Sequence, residues 1–571
     1  MLRAALLVPM AVYLIFIVGL SVNFPIQDDF GAILGSLTRL IEASHPHEAY
    51  LWLISQHVNH RIVLTRLVAL ADWRLFGAVN MQRLTLLGNA ALPAVLLVLY
   101  KALPPMFSVN RRLLALLPCT LLLFQPAAWE SALWAMAALS NYQVMLFGLA
   151  ALLCSARGHF IPAYLLAALA VGSQSNGLLV PALITALHAR KGITCMAGAL
   201  FTLLLWWWFF HGYTFTPPGA SSPQDSLNHP WQFLSYVALF CGSIFSQEGA
   251  ARTWGVVVLA LGFVACLPTE PQASEARGPC NPFPAFILFG LLTAAMTAAG
   301  RSSSFNLEQA LSPRYAFYSA LLGAVVWLGL CVRWPLVLRP LPQLLAVLLA
   351  LGFSLFSWMV NLPMARARHA AVVDGAIRFA SGESGGLLYR YPAEALMEIQ
   401  EAFRLRTYNA YAQSLLLSHR IAPLGLATLP PASMALQVEI FTGTPEQYPG
   451  TLSQGLGGQV ESVTVQDDTL SVTGYLPLRD AEQHKVMILL APEPPTAVEA
   501  VAVKRPDVAM MRNDPSMAAS GFRLTLRLAS SKAARLAQAS FCLGARSLET
   551  DTILLNGLSP RCGVLIKPPS S

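Results

Sequence analysis

The sequence predicts a polytopic α-helical membrane protein with a soluble domain at its C-terminal end, on three observations. Of 571 residues, 55% are hydrophobic and 12% charged, about half the charge density of a soluble globular chain. The apolar residues gather in runs long enough to cross a bilayer. All 12 Trp lie in the first part of the chain, the last being Trp358, so composition changes near residue 362. An ordinary cytosolic enzyme, a disordered chain and a coiled coil are excluded. The net charge of +8 comes from 31 Arg against 6 Lys spread along the chain. No basic stripe with interleaved aromatics stands out, so nucleic acid is not an expected partner.

The first apolar run, residues 4–20, follows Arg3 and has no small-x-small cleavage site after it, so it reads as an uncleaved helix. Further spans centre on residues 84–103, 112–128, 136–155, 160–174, 177–189, 193–210, 253–267, 283–299, 314–332 and 341–361. Segment 231–247 either spans or lies at the interface. With the N-terminus inside and 231–247 not crossing, Lys101, Arg111, Arg112, Arg157, Arg190, Lys191, Arg333 and Arg339 all fall in inner loops. That gives about eleven spans and an external C-terminal domain.

Roughly sixty residues separate the first two spans, too many for a plain connector. Ile33, Leu34, Leu37, Leu40 and Ile41 recur at helical spacing with Ser36, Arg39 and Glu42 opposite, a helix lying in the membrane surface. A second such helix covers 62–77, where Arg66, Asp72 and Arg74 make a full crossing costly.

Asp28 and Asp29 open this loop. One carboxylate suffices to cap a helix. A second at the membrane boundary is poorly solvated unless it faces water or a cation, and ionisable groups at membrane depth mark function. A coupled pair pushes its pKa values apart, which suits a general base for a hydroxyl. His57, His60 and Arg61 follow in Gln56-His57-Val58-Asn59-His60-Arg61. They read either as an anion site, the Arg fork matching phosphate, or as a loop anchored to lipid phosphates. His57 and His60 lack a third ligand at metal spacing, and the Cys form no CxxC pair. No metal site is assigned, and a divalent cation is the one cofactor left open.

Glu130 is a secondary candidate because it falls on the same side as the acid pair. Gln174-Ser175-Asn176-Gly177 breaks two short spans and is explained by a tight turn. Trp206-Trp207-Trp208 ends a span as an aromatic belt does. Arg314, in Ser312-Pro313-Arg314-Tyr315, opens a span where an unpaired charge is costly; a phosphate partner or snorkelling accounts for it.

Residues 362–432 read as a helical segment, with Pro392 opening an amphipathic stretch that carries Leu396, Ile399 and Phe403. From 433 to 571 the pattern alternates as strands do, as in 463–472 and 522–528. Cys542 and Cys562 are the only Cys there, and an oxidising outer compartment lets them pair as a disulfide.

Asp28-Asp29, Gln56-His57 through His60-Arg61, and Ser312-Pro313-Arg314-Tyr315 together resemble bacterial integral-membrane glycosyltransferases of the C superfamily over residues 1–361. The resemblance implies that fold and a polyprenyl-phosphate sugar donor, with transfer to a glycan or lipid acceptor on the periplasmic face of the inner membrane. It makes Asp28 or Asp29 the catalytic base. Arg61 and Arg314, with His57 and His60, become the donor-phosphate residues. Val58 and Asn59 stand where similar sequences carry Asn and Glu, so no acidic role attaches to Asn59. Gly474-Tyr475, Arg505-Pro506-Asp507-Val508 and Ser520-Gly521-Phe522 resemble the β-sandwich appended to some bacterial cell-surface glycosyltransferases. The alternatives are a flippase for a lipid-linked sugar, or a glycan ligase or polymerase. An alkaline phosphatase fused at residue 571 is expected to be active and a cytoplasmic fluorescent reporter dark; the reverse pattern breaks the topology.

Overall fold

The computed structural model describes residues 2–189, 192–214, 226, 228–267, 281–302, 307–380, 395, 397–399, 401–402 and 405–408, and eight strands between 437 and 556. The chain divides into two compact units, Met1–Ala365 with Leu387–Ser418, and Arg366–Gly386 with His419–Ser571. Part of the segment 362–432 thus belongs with the first unit. There Ala395, Ile399 and Ala402 are buried helical residues. Pro392, Leu396 and Phe403 lie outside the described residues.

The protein is a polytopic helical membrane protein. Among the described residues, eight helices are long and apolar enough to cross a bilayer: Leu2–Leu20, Met81–Ala102, Val109–Ala132, Ala135–Ala156, Ile193–Phe210, Glu248–Cys266, Pro313–Arg333 and Pro340–Ala376. Three shorter apolar helices, Phe160–Ser173, Ser175–Leu187 and Phe283–Ala299, fill the remaining expected positions. Pro230–Cys241 has only 12 residues, about 18 Å of helix, which is too short to cross.

Hydrogen bonds gather the expected inner loops at one end of this array. Arg157 donates to the Lys101 carbonyl at 2.5 Å, Arg111 to that of Pro335 at 3.2 Å, and Arg333 to that of Leu267. At the other end, Arg61 reaches the Phe209 carbonyl and Ser226 that of Ala299. Ile193–Phe210 therefore ends, and Glu248–Cys266 begins, at this second end, so 231–247 turns back without crossing. Its hairpin depends on two glycines. A Cβ on Gly242 would stand 1.7 Å from the Ala251 oxygen, and one on Gly255 1.9 Å from that of Ala238.

The loop after the first helix folds into a π-helical turn, Phe30–Gly35, and the helices Ser36–Glu42, Pro46–Ile54 and Val63–Phe76. Ile33, Leu34 and Leu37 are buried against protein. Ser36, expected on the polar face, is buried too, because Arg66 Nε donates to its hydroxyl at 3.0 Å. The charges that forbid Val63–Phe76 from spanning are matched locally. Asp72 takes Arg83 in a two-pronged pair at 2.6 and 2.9 Å, and Arg74 stacks on Trp73 at 4.8 Å.

The second unit carries strands β1 Gln437–Thr442, β2 Leu452–Gln466, β3 Thr469–Tyr475, β4 Val486–Ala491, β5 Ala497–Val503, β6 Gly521–Arg527, β7 Cys542–Arg546 and β8 Thr552–Asn556. They form one hydrogen-bonded sheet in the order β1-β4-β7-β8-β2-β3-β6-β5. The order is continuous because the 15-residue β2 pairs with β8 at its start and with β3 at its end. The alternation read across 463–472 is a hairpin, with Gln466 opposite Thr469 across Asp467-Asp468. Phe522, Leu524 and Leu526 are buried on one face of β6, as a period of two requires. Cys562, half of the expected disulfide, lies outside the described residues.

Gly255→Ala is expected to lower the melting temperature in detergent, by overpacking worth about 1–3 kcal/mol. Gly249→Ala, on the same helix with open space at its Cβ, is expected to hold or raise it through helix propensity. Equal effects would dissolve the argument from close approach.

Candidate active site

The acid pair sits on a turn closed by the Asp29 N–H donating to the Ile26 carbonyl at 3.0 Å. Gln27 at the turn's corner has φ 52°, and Val58 in the facing segment has φ 49°. Non-glycine residues held in the left-handed region cost of order 1–3 kcal/mol each, and such positions cluster at functional sites. Val58 and Asn59 form the tip of a tight hairpin in which His57 and His60 exchange main-chain hydrogen bonds at 2.7 and 2.8 Å. Gln56 fixes the hairpin by pairing with the Thr214 main chain, accepting at 2.8 Å and donating at 2.9 Å.

The two carboxylates have different surroundings. Asp29 is 1% exposed. Its Oδ2 accepts from the Ile26 N–H at 3.2 Å and its Oδ1 from the Met136 N–H at 2.9 Å. Burial, reinforced by the Asp28 charge, pushes its pKa up to about 7 despite those donors. Asp28 keeps 35% of its side chain accessible, and its Oδ2 lies 3.8 Å from His57 Nε2, an ion-pair spacing just beyond hydrogen-bond length. Burial acts to raise its pKa, but His57, Arg314 and His60 outweigh it and hold Asp28 below the usual carboxylate range.

His60 lies against Ser175, whose hydroxyl stands 2.8 Å from Nδ1 and whose N–H donates to the same nitrogen at 3.4 Å. Burial, with the Arg301 and His57 charges, lowers its pKa to about 3, so the ring is neutral. Arg314 keeps an enclosed Nε with no hydrogen-bond partner among the described residues. Its position comes from Glu130, whose Oε2 accepts from the Ser312 hydroxyl at 2.8 Å and the Arg314 N–H at 3.2 Å. Ser131 adds a bond to the Arg314 carbonyl at 3.0 Å.

Arg61 does not join this group. Its Nε donates to the Phe209 carbonyl at 2.7 Å, and its two terminal nitrogens to the carbonyls of His211, at 2.5 Å, and Ile54. Three of its five N–H groups are thus taken by main-chain carbonyls, which leaves two for a phosphate. Asp28, His57, His60 and Arg314 are brought together. Glu130 stands behind Arg314 rather than beside Asp28.

A cavity of about 260 Å³ adjoins this cluster through His60 and Tyr315. Its walls include Gln174, Ser175 and Asn176, read from sequence as a plain turn, and Arg301. Tyr318, also in the wall, donates to Gln174 Oε1 at 2.9 Å and to Asn141 Oδ1 at 3.2 Å. The signal for these residues was in the chain: a run of polar side chains where two apolar segments meet. Among the described residues no group of three or more His, Cys, Asp or Glu is placed to hold a metal ion.

No protein-family description matches the chain, and no curated protein does. Among solved structures, it is similar to the crystal structure of ArnT from Cupriavidus metallidurans in the apo state. The match covers 70% of this chain and 75% of that one, at 13% identity and a TM-score of 0.36.

Asp29→Asn replaces one of two acceptors by a donor facing a main-chain N–H, so a loss of about 1–3 kcal/mol and a lower melting temperature are expected. The pH profile gives a second check. Asp29, raised to about 7, contributes stability that is complete below the ordinary value near 3.8 and is lost as pH rises through 7. His60, lowered to about 3, contributes stability that is complete above 6.5 and is lost as pH falls. The two slopes oppose between about pH 4 and 6.5. Removing the Asp29 slope should make the melting temperature of Asp29→Asn rise with pH across that window relative to wild type; an unchanged slope contradicts the assignment.

Proposed function

We propose that the chain is an integral-membrane glycosyltransferase of the C superfamily. It moves a sugar from a polyprenyl-phosphate donor to a glycan or lipid acceptor of the cell envelope, on the periplasmic face of the bacterial inner membrane. The observation that carries this reading is the partly accessible Asp28 carboxylate facing His57, with Arg314 near enough to lower its pKa. A base and a cation then stand together at one end of an apolar helix array. The motifs that resemble the family contribute these same residues.

In this reading Asp28 is the base and Asp29 its support. The acceptor hydroxyl attacks the anomeric carbon as Asp28 takes its proton. The bond from that carbon to the phosphate oxygen breaks with inversion, and the electron pair leaves on the phosphate. Arg314, its Nε unspent, stabilises the departing charge. His57 orients Asp28 and keeps it ionised. A transporter would carry its charges deep within its spans; here they collect at the end of the array.

The test is sugar transfer in liposomes, with expression and melting point checked for each variant. Asp28→Asn keeps shape but takes no proton, so a loss of about 10²–10⁴ in rate is expected, with a small drop in melting point because its charge is favoured in the fold. Arg314→Ala should weaken donor binding and transfer together. Full transfer by Asp28→Asn removes the proposed base. Movement of the lipid-linked sugar across the bilayer with its glycosyl bond intact gives the function to a transporter.

A further inference from the structure

The cavity beside Asp28 has a composition that selects among ligands. Its aromatic walls include Phe210, Tyr213 and Tyr315, surfaces suited to the C–H faces of a saturated ring. Its described lining contains no Asp or Glu. At about 260 Å³ it lies near the small end of ligand sites, which run from roughly 300 Å³ upward, so it suits one ring rather than an oligosaccharide.

Two polar atoms of the lining lack partners among the described residues. Asn176 gives its amide nitrogen to Thr293 Oγ1 at 3.3 Å, while its Oδ1 is enclosed and accepts nothing. Exchanging the amide's ends would still leave one end unmatched. His60 Nδ1 faces the Ser175 hydroxyl at 2.8 Å and the Ser175 N–H at 3.4 Å, and its Nε2 has no partner among the described residues. An unmet amide oxygen and an unmatched ring nitrogen suit hydroxyls, which both give and take hydrogen bonds. An ammonium group would satisfy Asn176 but would share the cavity with Arg301 and find no carboxylate in the described lining to balance its charge.

We propose that this cavity binds a single neutral, hydroxyl-rich sugar ring and disfavours one bearing a protonated amine. The proposal rests on the glycosyltransferase reading and narrows its substrate class. The ring belongs either to the lipid-linked donor or to the glycan acceptor, and the binding test separates them.

Equilibrium binding to the full chain in nanodiscs uses four probes. These are polyprenyl-phosphate glucose, the same lipid carrying an amino-deoxyglucose, methyl glucoside, and its amino-deoxy counterpart. The neutral member of a pair is expected to bind about tenfold tighter or more, the size of one mismatched buried polar contact. A gap in the lipid pair assigns the cavity to the donor, and one in the soluble pair to the acceptor. Asn176→Asp adds the missing carboxylate and should close or reverse the gap. Asn176→Ala, checked by melting point, should weaken the neutral probe more than the amine. Binding without discrimination in both pairs, or a gap unmoved in a folded Asn176→Asp protein, overturns the proposal and leaves the glycosyltransferase reading standing. Absence of binding by all four probes overturns both.

Discussion

The Asp29 carboxylate is the tie on which the cluster depends. One oxygen takes an amide from the loop after the first helix and the other takes the Met136 amide at the start of a long apolar helix. Residues 107 apart in sequence are joined through a group that water cannot reach. Enclosed amides without an acceptor are costly, so the position of this turn relative to the helix is strongly determined. Asp28, one residue earlier, is thereby carried to His57, and the strained Gln27 is held in place. The adjacent acids divide the work: one is consumed by the fold, and the other is left partly open.

Arginines do for the rest of the loop what Asp29 does for the turn. Arg66 donates to the Trp52, Leu53 and Ser55 carbonyls at 3.2, 2.9 and 2.6 Å, closing the end of the helix Pro46–Ile54. Arg61 reaches the same helix end and joins it to the Phe209 and His211 carbonyls. The last carbonyls of a helix need donors, and a cation there also opposes the negative end of the helix dipole. A loop among apolar helices has little water to supply them. Burial and the neighbouring Arg39 and Arg61 lower the Arg66 pKa to about 10, and it stays charged at neutral pH.

Arg314 differs because its main chain is held while its Nε has no hydrogen-bond partner among the described residues. Glu130 and Ser131 bind its N–H and carbonyl. The guanidinium is thus positioned without its Nε being consumed. Glu130, half-buried, thus accepts from two donors that fix the start of the Arg314 turn. The cavity behind His60 continues the same polar end of the array, with Tyr318, Gln174 and Asn141 locked together by hydrogen bonds.

Hydropathy alone determined the membrane class and the positions of the apolar helices, because burial in a bilayer acts on composition over some twenty residues and needs no tertiary partner. It also singled out the acid pair, the His57–Arg61 run and the Ser312–Tyr315 motif, since charges beside apolar runs are costly enough to stand out. What only the tertiary structure decided was how each charge is compensated. Arg61 and Arg314 look alike in the chain, yet three carbonyls engage the first and none takes the Nε of the second. Asp28 and Asp29 are adjacent, yet burial separates them. The turn at 174–176 became a cavity wall, the segment 231–247 turned back through two glycines, and one long strand linked the two halves of the strand order. Each outcome depends on partners tens to hundreds of residues away, and local sequence carries no record of them.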